Sequence, residues 1–187
     1  TYQSRLQTVN FKYNVRGWLK NINQDANNDN DLFNFSIAYN DITDVSKKLF
    51  NGNISQTSWN TLSLDTSIKT YTYTYDAMDR ITKGDFNVNT YDLTNVSYDK
   101  NGNIMSLQRN KHASDGANDS FSYNYIDAGK QTNQLMSLSG SKSGTFLYDE
   151  NGNITKDTRK GITNIVYNYL NLPTTVTINS QTITYVY

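Results

Sequence analysis

The chain has 187 residues, no cysteine, and equal numbers of basic and acidic side chains, 17 of each. The zero net charge argues against nucleic-acid binding, which needs a basic surface. The absence of cysteine excludes a disulfide framework and Cys-bound zinc. Aromatic residues make up 13% of the chain, including 15 tyrosines, although only 36% is hydrophobic. This composition is typical of a thin β-rich structure that is wetted on much of both faces.

The first predicted unit covers residues 6–22. Residues 9–13 alternate apolar and polar side chains, as a half-buried strand does, and residues 18–22 form the return strand. A polar loop follows at about residues 23–34. We interpret it as a solvated insertion. The weaker alternative is a calcium site formed by its carboxylates, Asp25, Asp29 and Asp31.

Residues 35–39 predict a short strand, and residues 41–48 are compatible with a brief helical turn. The clearest alternation in the chain lies within residues 62–75. It places tyrosine side chains on one face and threonines on the other, the tyrosines being Tyr71, Tyr73 and Tyr75. We expect these rings to pack across neighbouring strands while their hydroxyl groups stay in water.

A second polar loop is predicted at about residues 110–120. It holds the single histidine, His112, beside Ser114 and Asp115. A Ser-His-Asp triad needs side chains that converge from rigid elements, so adjacent residues on a loop tip do not predict catalysis. The sequence therefore predicts no catalytic residue and no cofactor.

The C-terminal third predicts further hairpins. Residues 135–138 and 145–148 form one pair, joined by a longer Gly-Ser loop at residues 139–144. Strands are also predicted at residues 165–169 and 174–178, after which Asn179-Ser180 turns the chain into its last strand. The sequence contains no convincing long amphipathic helix, and no apolar run approaches the length of a transmembrane helix.

The strongest pattern is a seven-residue motif, YDKNGNI at residues 98–104, which returns as YDENGNI at residues 148–154. We number its positions one (Tyr98) to seven (Ile104). Its tail also occurs as NGNI at residues 51–54. Each copy predicts strand, tight turn and strand, because Asn-Gly favours a type I′ hairpin turn with positive φ at both central residues. The aspartate at position two is expected to accept hydrogen bonds from backbone N–H groups of the turn.

Looser copies share the spacing from Tyr to Gly. Residues 75–81 keep the frame but have Asp79 at position five, and residues 169–173 break the frame with the single proline, so that this copy is expected to turn differently. The predicted structural motif residues are Tyr13, Gly17, Tyr75, Asp76, Tyr98, Asp99, Asn101, Gly102, Asn103, Tyr125, Gly129, Tyr148, Asp149, Asn151, Gly152 and Asn153. Asp99, Asn101 and Asn103 also imitate the start of an EF-hand loop. Ile and Asn stand where that loop needs Gly and Glu, so no metal site is predicted.

This pattern resembles the YD repeat of RHS proteins, whose common form is Tyr-Asp-x-x-Gly-Asn/Arg-Leu/Ile. The resemblance covers nearly the whole chain, and several staggered copies make it specific. It implies an all-β fold: serial antiparallel hairpins in one continuous, twisted and spiralling sheet that forms part of a hollow shell. In bacterial toxin systems such a shell encloses a C-terminal toxic domain. The family's self-cleaving aspartate motif has no match here.

We therefore expect residues 1–187 to be one repeat region within a longer, secreted or surface-exposed bacterial polypeptide. Its expected function is structural and non-catalytic, as a wall that encapsulates or presents a C-terminal, toxin-like cargo. Its expected partners are flanking repeats and that cargo, with possible self-association through unpaired sheet edges. The alternative is a module that binds a cell-surface glycan or protein through exposed tyrosine and tryptophan.

Overall fold

The computed structural model describes residues 8–23, 31–62, 65–88 and 90–187. Within them the chain is almost entirely β-structure, which confirms the all-β prediction. The strands are β1 (Phe11–Tyr13), β2 (Leu19–Ile22), β3 (Phe33–Ala38), β4 (Gln56–Thr61), β5 (Lys69–Tyr75), β6 (Ile81–Phe86), β7 (Leu93–Tyr98), β8 (Ile104–Arg109), β9 (Asp119–Asn124), β10 (Ile126–Asp127), β11 (Lys130–Gln131), β12 (Ser137–Gly140), β13 (Gly144–Tyr148), β14 (Ile154–Asp157), β15 (Ile162–Tyr167), β16 (Pro173–Ile178) and β17 (Gln181–Thr184).

The helical content of these residues is limited to single 3₁₀ turns at Val45–Lys47, Ala113–Asp115 and Thr158–Lys160. The first of them falls inside the turn expected at residues 41–48. None of the helices in the described part of the chain could span a membrane. The start of the first predicted unit, at Leu6, and two of the carboxylates considered for calcium, Asp25 and Asp29, lie outside the described residues.

Strand order in the main, 15-stranded sheet follows chain order, with β1 to β9 followed directly by β12 to β17. One hairpin, β10–β11, forms a separate two-stranded sheet, so that β9 pairs directly with β12. The pairs are antiparallel, as hairpin connections require. Several carry a bulge beside the turn, for example between Leu147 and Tyr148.

The chain forms two compact units. The first contains residues 1–94 and 110–115, and the second contains residues 95–109 and 116–187. In the first unit, cross-strand pairs place Phe35 opposite Trp59 and Tyr71 opposite Phe86, so one face is aromatic. Its other face is polar, where Ser36 and Ser58 share a hydrogen bond of 2.6 Å.

The second unit has the same two kinds of face. A small apolar core contains Phe121, Leu138 and Phe146, with Leu107, Tyr123, Leu135 and Tyr148 packed against it. On the opposite face, Ser97 and Ser106 are hydrogen-bonded at 2.6 Å, and Asn95 donates to Gln108 at 2.6 Å. Few apolar side chains are fully buried among the described residues, so hydrogen bonds between neighbouring strands carry much of the specificity of the fold.

Candidate functional site

The repeated turns contain a polar network that centres on position two of the motif. In the copy at residues 98–104, Asp99 Oδ1 accepts hydrogen bonds from the backbone N–H groups of Asn101 (2.9 Å) and Asn103 (2.8 Å). Backbone bonds close the hairpin, from Asp99 N to Asn103 O (3.0 Å) and from Gly102 N to Asp99 O (3.2 Å). The Asn103 amide also donates to Asp99 Oδ2 at 2.9 Å. The carboxylate at position two therefore organises the whole turn, as the sequence predicted.

The same network recurs at four other places. In each, one side-chain oxygen at position two accepts from the backbone N–H groups at positions four and six, at distances of 2.8–3.1 Å. An asparagine replaces the aspartate in two of them, because its amide oxygen accepts in the same way. The residues at position two are Asn14, Asp76, Asp149 and Asn168.

The turn type differs from the type I′ prediction. A type I′ turn needs positive φ at both central residues, but in the Asn101-Gly102 pair only Gly102 has it, at 89°. The turn is a three-residue connection that ends in a left-handed residue and a bulge. The Asp99 carboxylate stabilises this connection, because it accepts from the N–H groups of Asn101 and Asn103. Consecutive positive φ values occur instead at Ala128-Gly129 and at Asn179-Ser180, the turn predicted to begin the last strand.

The copy assigned to residues 169–173 lies two residues earlier. Tyr167 occupies position one, Asn168 position two and Asn171 position five, with φ of 58°. Pro173 falls at position seven, the first residue of β16. The proline therefore does not alter the turn, which uses the same hydrogen bonds as the others. Proline is tolerated as the first residue of a strand.

The predicted motif residue Tyr125 directly precedes the β10–β11 hairpin, and Gly129 lies in its turn. Gly129, at position five, has the expected left-handed φ of 81°. The position-two network is not formed there, because Ile126 at position two has no side-chain acceptor. Tyr123 and Asn124 precede this hairpin, and Asn124 Oδ1 accepts from Ile126 N at 3.2 Å. The NGNI copy at residues 51–54 also lacks the network, since Leu49 at position two has no side-chain acceptor.

Asparagine side chains connect several of the turns to a later part of the chain. Asn151 and Asn153 donate from their amide nitrogens to Asn171 Oδ1, at 3.2 and 2.9 Å. Asn51 donates in the same way to Asp79 Oδ1 at 2.6 Å. Asp79 and Asn171 both occupy position five with positive φ. They are present in place of glycine because their side chains accept a hydrogen bond from the preceding turn.

A third connection of this kind involves Asn133, whose Oδ1 accepts from Asn101 and Asn103, both at 3.0 Å. We call this set of contacts between turns the asparagine ladder: Asn51 to Asp79, Asn101 and Asn103 to Asn133, and Asn151 and Asn153 to Asn171. The sequence reasoning missed it. For the contacts to Asp79 and Asn171 the available signal was an Asn or Asp at position five in the copy that follows an Asn-Gly-Asn turn. Asn133 is not at position five, so no such signal marked it.

Tyrosine hydroxyl groups make a second set of contacts between repeats. Tyr75 donates to Ile54 O at 2.8 Å, and Tyr167 donates to Ile154 O at 2.8 Å. Tyr148 donates to Leu135 O at 3.0 Å. Burial raises the pKa of all three tyrosines. The expectation that the tyrosine hydroxyl groups stay in water is thus wrong for Tyr75, and Tyr148 and Tyr167 behave in the same way. The carbonyl groups at or just before the strand starts need donors.

The aromatic face of the first unit contains the tyrosine row singled out in the sequence. Tyr71 stacks against Phe86 with a centroid distance of 4.8 Å and against Trp59 at 6.0 Å. Its hydroxyl donates to Tyr91 O at 2.8 Å, and the hydroxyl of Tyr73 is 2.9 Å from Thr57 Oγ1. These rings bridge neighbouring strands, as predicted, and their polar atoms have partners within the protein.

The groups considered for catalysis and metal binding have other partners. Asp115 Oδ1 accepts from Ser114 Oγ at 3.0 Å, and Ser114 Oγ lies 2.7 Å from His112 Nδ1. In a catalytic triad the carboxylate would contact the histidine, not the serine. The donors to the Asp99 carboxylate include Gln131 Nε2 at 2.9 Å, besides the turn groups described above. No group of three metal-binding side chains occurs among the residues that the structure describes.

Comparison with known proteins gives a likeness of fold. No family model and no curated protein matches the sequence. The structure is similar to that of the Photorhabdus luminescens Tc holotoxin pore, with a TM-score of 0.59 and 13% sequence identity. The match covers 90% of this chain and 9% of the Tc chain. At this identity the likeness concerns the fold alone, and the chain is related in architecture to a small part of a toxin complex.

Proposed function

We propose that this chain is a structural wall segment of a bacterial RHS-type protein. In this proposal residues 1–187 form one region of YD repeats in a longer polypeptide that is secreted or displayed on the cell surface. The wall encapsulates or presents a C-terminal, toxin-like cargo. It performs no catalysis of its own and takes no cofactor.

The observation that carries the proposal is the use of the repeat residues. The aspartates, asparagines and tyrosines that look functional in the sequence donate to or accept from the neighbouring repeat. Side chains committed in this way support a wall and leave little free chemistry for a substrate. The fold likeness to the Tc holotoxin pore supports a toxin-related role.

Limited proteolysis of the longer polypeptide tests enclosure. We expect the segment C-terminal to the repeats to resist trypsin, and to be digested when Asp99→Ala and Asp149→Ala remove two turn acceptors. Lys100→Glu is the matched control, since Glu150 occupies the same motif position in the next YDxNGNI copy. Equal digestion of the cargo segment in all three proteins would exclude a protective wall.

The alternative, a glycan-binding module, would use the aromatic face of the first unit. Trp59, Tyr71 and Tyr73 are only partly buried, and aromatic rings can stack on sugars. A glycan array with the wild-type chain and with Tyr71→Ala/Tyr73→Ala separates the two functions. Micromolar binding that is lost in the double variant would favour recognition over enclosure.

A further inference from the structure

A depression on the second unit combines an apolar floor with a basic rim, and neither feature is used by the repeat contacts described above. Its volume is about 380 Å³, within the range of pockets that accept small ligands or inserted side chains. Leu107, Tyr123 and Leu135 contribute partly exposed apolar surface to it, above the more deeply buried Phe121, Leu138 and Phe146.

The rim of the depression carries three cationic side chains, Arg109, Lys142 and Arg159. Arg109 lies over the ring of Phe121, with its Cζ 5.7 Å from the ring centroid. Lys160 lies beside Lys142 and Arg159 in an adjoining open depression. In a chain with zero net charge, this is a local concentration of positive charge.

The acidic partners of Arg109 and Arg159 are buried, whereas the arginines themselves are exposed to solvent. Arg109 pairs with Asp119 at 2.7 Å, but the arginine side chain is 60% exposed and the aspartate 7%. The Arg159 side chain is 37% exposed, whereas that of Asp157, 3.7 Å away, is 8% exposed. Asp157 also accepts from the backbone of Arg159 and Lys160. Lys142 has no ion-pair partner among the described residues. The charge presented to solvent is therefore positive.

Two glycines bring this rim together. A Cβ atom on Gly144 would lie 2.7 Å from Arg159 Cβ, so only glycine allows β13 to approach Arg159 this closely. A Cβ on Gly140, which has a φ of 110°, would collide with the backbone oxygen of Ser120. Between these glycines the loop carries Lys142 to the edge of the apolar floor. The Gly-Ser loop noted in the sequence is thus one wall of the depression.

We propose that this depression binds an acidic peptide segment of a partner protein, with one large apolar side chain inserted against Leu107, Tyr123 and Leu135 and carboxylates beside Lys142 and Arg159. An apolar anchor within a charged rim is the usual arrangement of a binding hot spot. This site goes beyond the proposed wall function and does not depend on enclosure, so either proposal can fail without the other.

Fluorescence anisotropy with the 187-residue chain and a fluorescein-labelled peptide, acetyl-Asp-Glu-Trp-Glu-Asp-amide, tests the site. We expect a Kd of about 10–500 μM at low salt. Replacing the peptide's Trp by Ala should weaken binding about tenfold or more, and so should Lys142→Glu/Arg159→Gln. Lys100→Glu, an exposed charge reversal away from the depression, should leave the Kd unchanged. Thermal unfolding of each variant confirms that it is folded.

Several results would overturn the proposal. Absence of binding at millimolar peptide would do so directly. Equal weakening by Lys100→Glu would indicate attraction to the whole chain, and equal binding of the Ala peptide would show that the apolar floor is not occupied. If indole-3-acetate competed with a Kd as low as that of the peptide, the site would belong to a small aromatic acid.

Discussion

At the scale of single residues, position five of the motif shows how one backbone requirement is met in two ways. The φ at this position is positive in each of the five turns that share the network, at 58–89°. Glycine adopts this conformation without strain. Asp79 and Asn171 adopt it at some strain and gain a side-chain acceptor for the preceding turn. Backbone preference alone therefore does not explain which residue is found there.

The asparagine ladder leads to a prediction opposite to the one from the backbone preference for glycine at position five. Asn171→Gly relieves backbone strain but removes the acceptor of Asn151 and Asn153, so we expect a net destabilisation of about 0.5–1 kcal/mol. Urea unfolding followed by circular dichroism measures it. The matched control is Gly152→Asn, which introduces strain at the same motif position of the preceding turn. If Asn171→Gly raises the unfolding midpoint, the ladder does not stabilise the fold.

The turn carboxylates give a pH dependence of stability. The pKa values of Asp76, Asp99 and Asp149 are lowered, chiefly by hydrogen bonds from the side chains of Arg80, Asn103 and Asn153. A carboxyl group whose pKa is lower in the folded state stabilises the fold above the ordinary aspartate pKa of about 4. That contribution is lost as the pH falls through the lowered pKa.

We therefore expect the unfolding midpoint in urea to fall steeply as the pH drops below about 4. In Asp99→Asn/Asp149→Asn the fall should be shallower, because an asparagine accepts the same backbone N–H groups at any pH, as Asn14 and Asn168 do. Identical pH profiles for the two proteins would mean that these carboxylates do not cause the acid sensitivity.

At the scale of elements, several hairpins contain glycines that meet two different structural requirements. Gly102 has a φ of 89° with open space around its Cα, so a side chain there meets backbone strain only. Gly140 has a φ of 110° and also lies against the backbone of Ser120. Substitutions at the two positions therefore distinguish the cost of backbone strain from the cost of a steric clash between strands.

Gly102→Ala should destabilise the chain by about 1–2 kcal/mol, the strain of a left-handed alanine. Gly140→Ala should cost clearly more, because β9 and β12 must move apart. Differential scanning fluorimetry of both variants compares them directly. Gly102→Asn is the control, since Asn171 shows that asparagine is accommodated at position five. Equal losses for the two alanine variants would contradict the close approach at Ser120.

The hairpins were predictable from sequence where residues close together in the chain determine the turn. The repeats at residues 98–104 and 148–154 and the acceptor role of position two follow from Asp, Asn and Gly at fixed spacing. The turn type was predicted wrongly, because the Asn-Gly pair was considered without the competing carboxylate of Asp99. The copy at Tyr167 was misplaced because asparagine replaces both the Asp of position two and the Gly of position five. Neither residue that identifies the motif is therefore present.

The contacts to Asn133 and those of the tyrosine hydroxyl groups could not be predicted from the motif, since they join residues 13–32 positions apart. Nothing local indicates that Asn133 accepts from Asn101, or that Tyr167 reaches the carbonyl group of Ile154. The basic depression was missed for the same reason, since its rim is assembled by β8, the Gly-Ser loop and the 3₁₀ turn at Thr158–Lys160. Such sites depend on which side chains of non-adjacent segments come together, and local motifs do not state this.

At the scale of the whole molecule, the strand order leaves β1 and β17 with one edge each that no described strand pairs with. All four residues of β17 are exposed, and Ile183 has 47% of its surface in water. An exposed edge of this kind can pair with a strand of another chain. We therefore predict that self-association occurs through β1 and β17.

We expect the isolated chain to form concentration-dependent dimers or larger species in size-exclusion chromatography with light scattering. Ile183→Lys should shift it toward the monomer, because a charged side chain on an edge strand disfavours pairing. The control is Leu147→Lys, an equally exposed apolar position, at 51%, on β13, which has a neighbour on each side. A wild-type chain that stays a sharp monomer at all concentrations would refute edge pairing.

The asparagine ladder also affects how such a protein can gain or lose repeats during evolution. The turns at Asp99 and Asp149 present identical donors, and Asn133 and Asn171 are equivalent acceptors. An unequal crossover that fused one YDxNGNI copy to the other would delete fifty residues and still leave donors opposite an acceptor. Genes that encode this architecture can thus gain or lose whole modules while the chemistry of each junction is preserved.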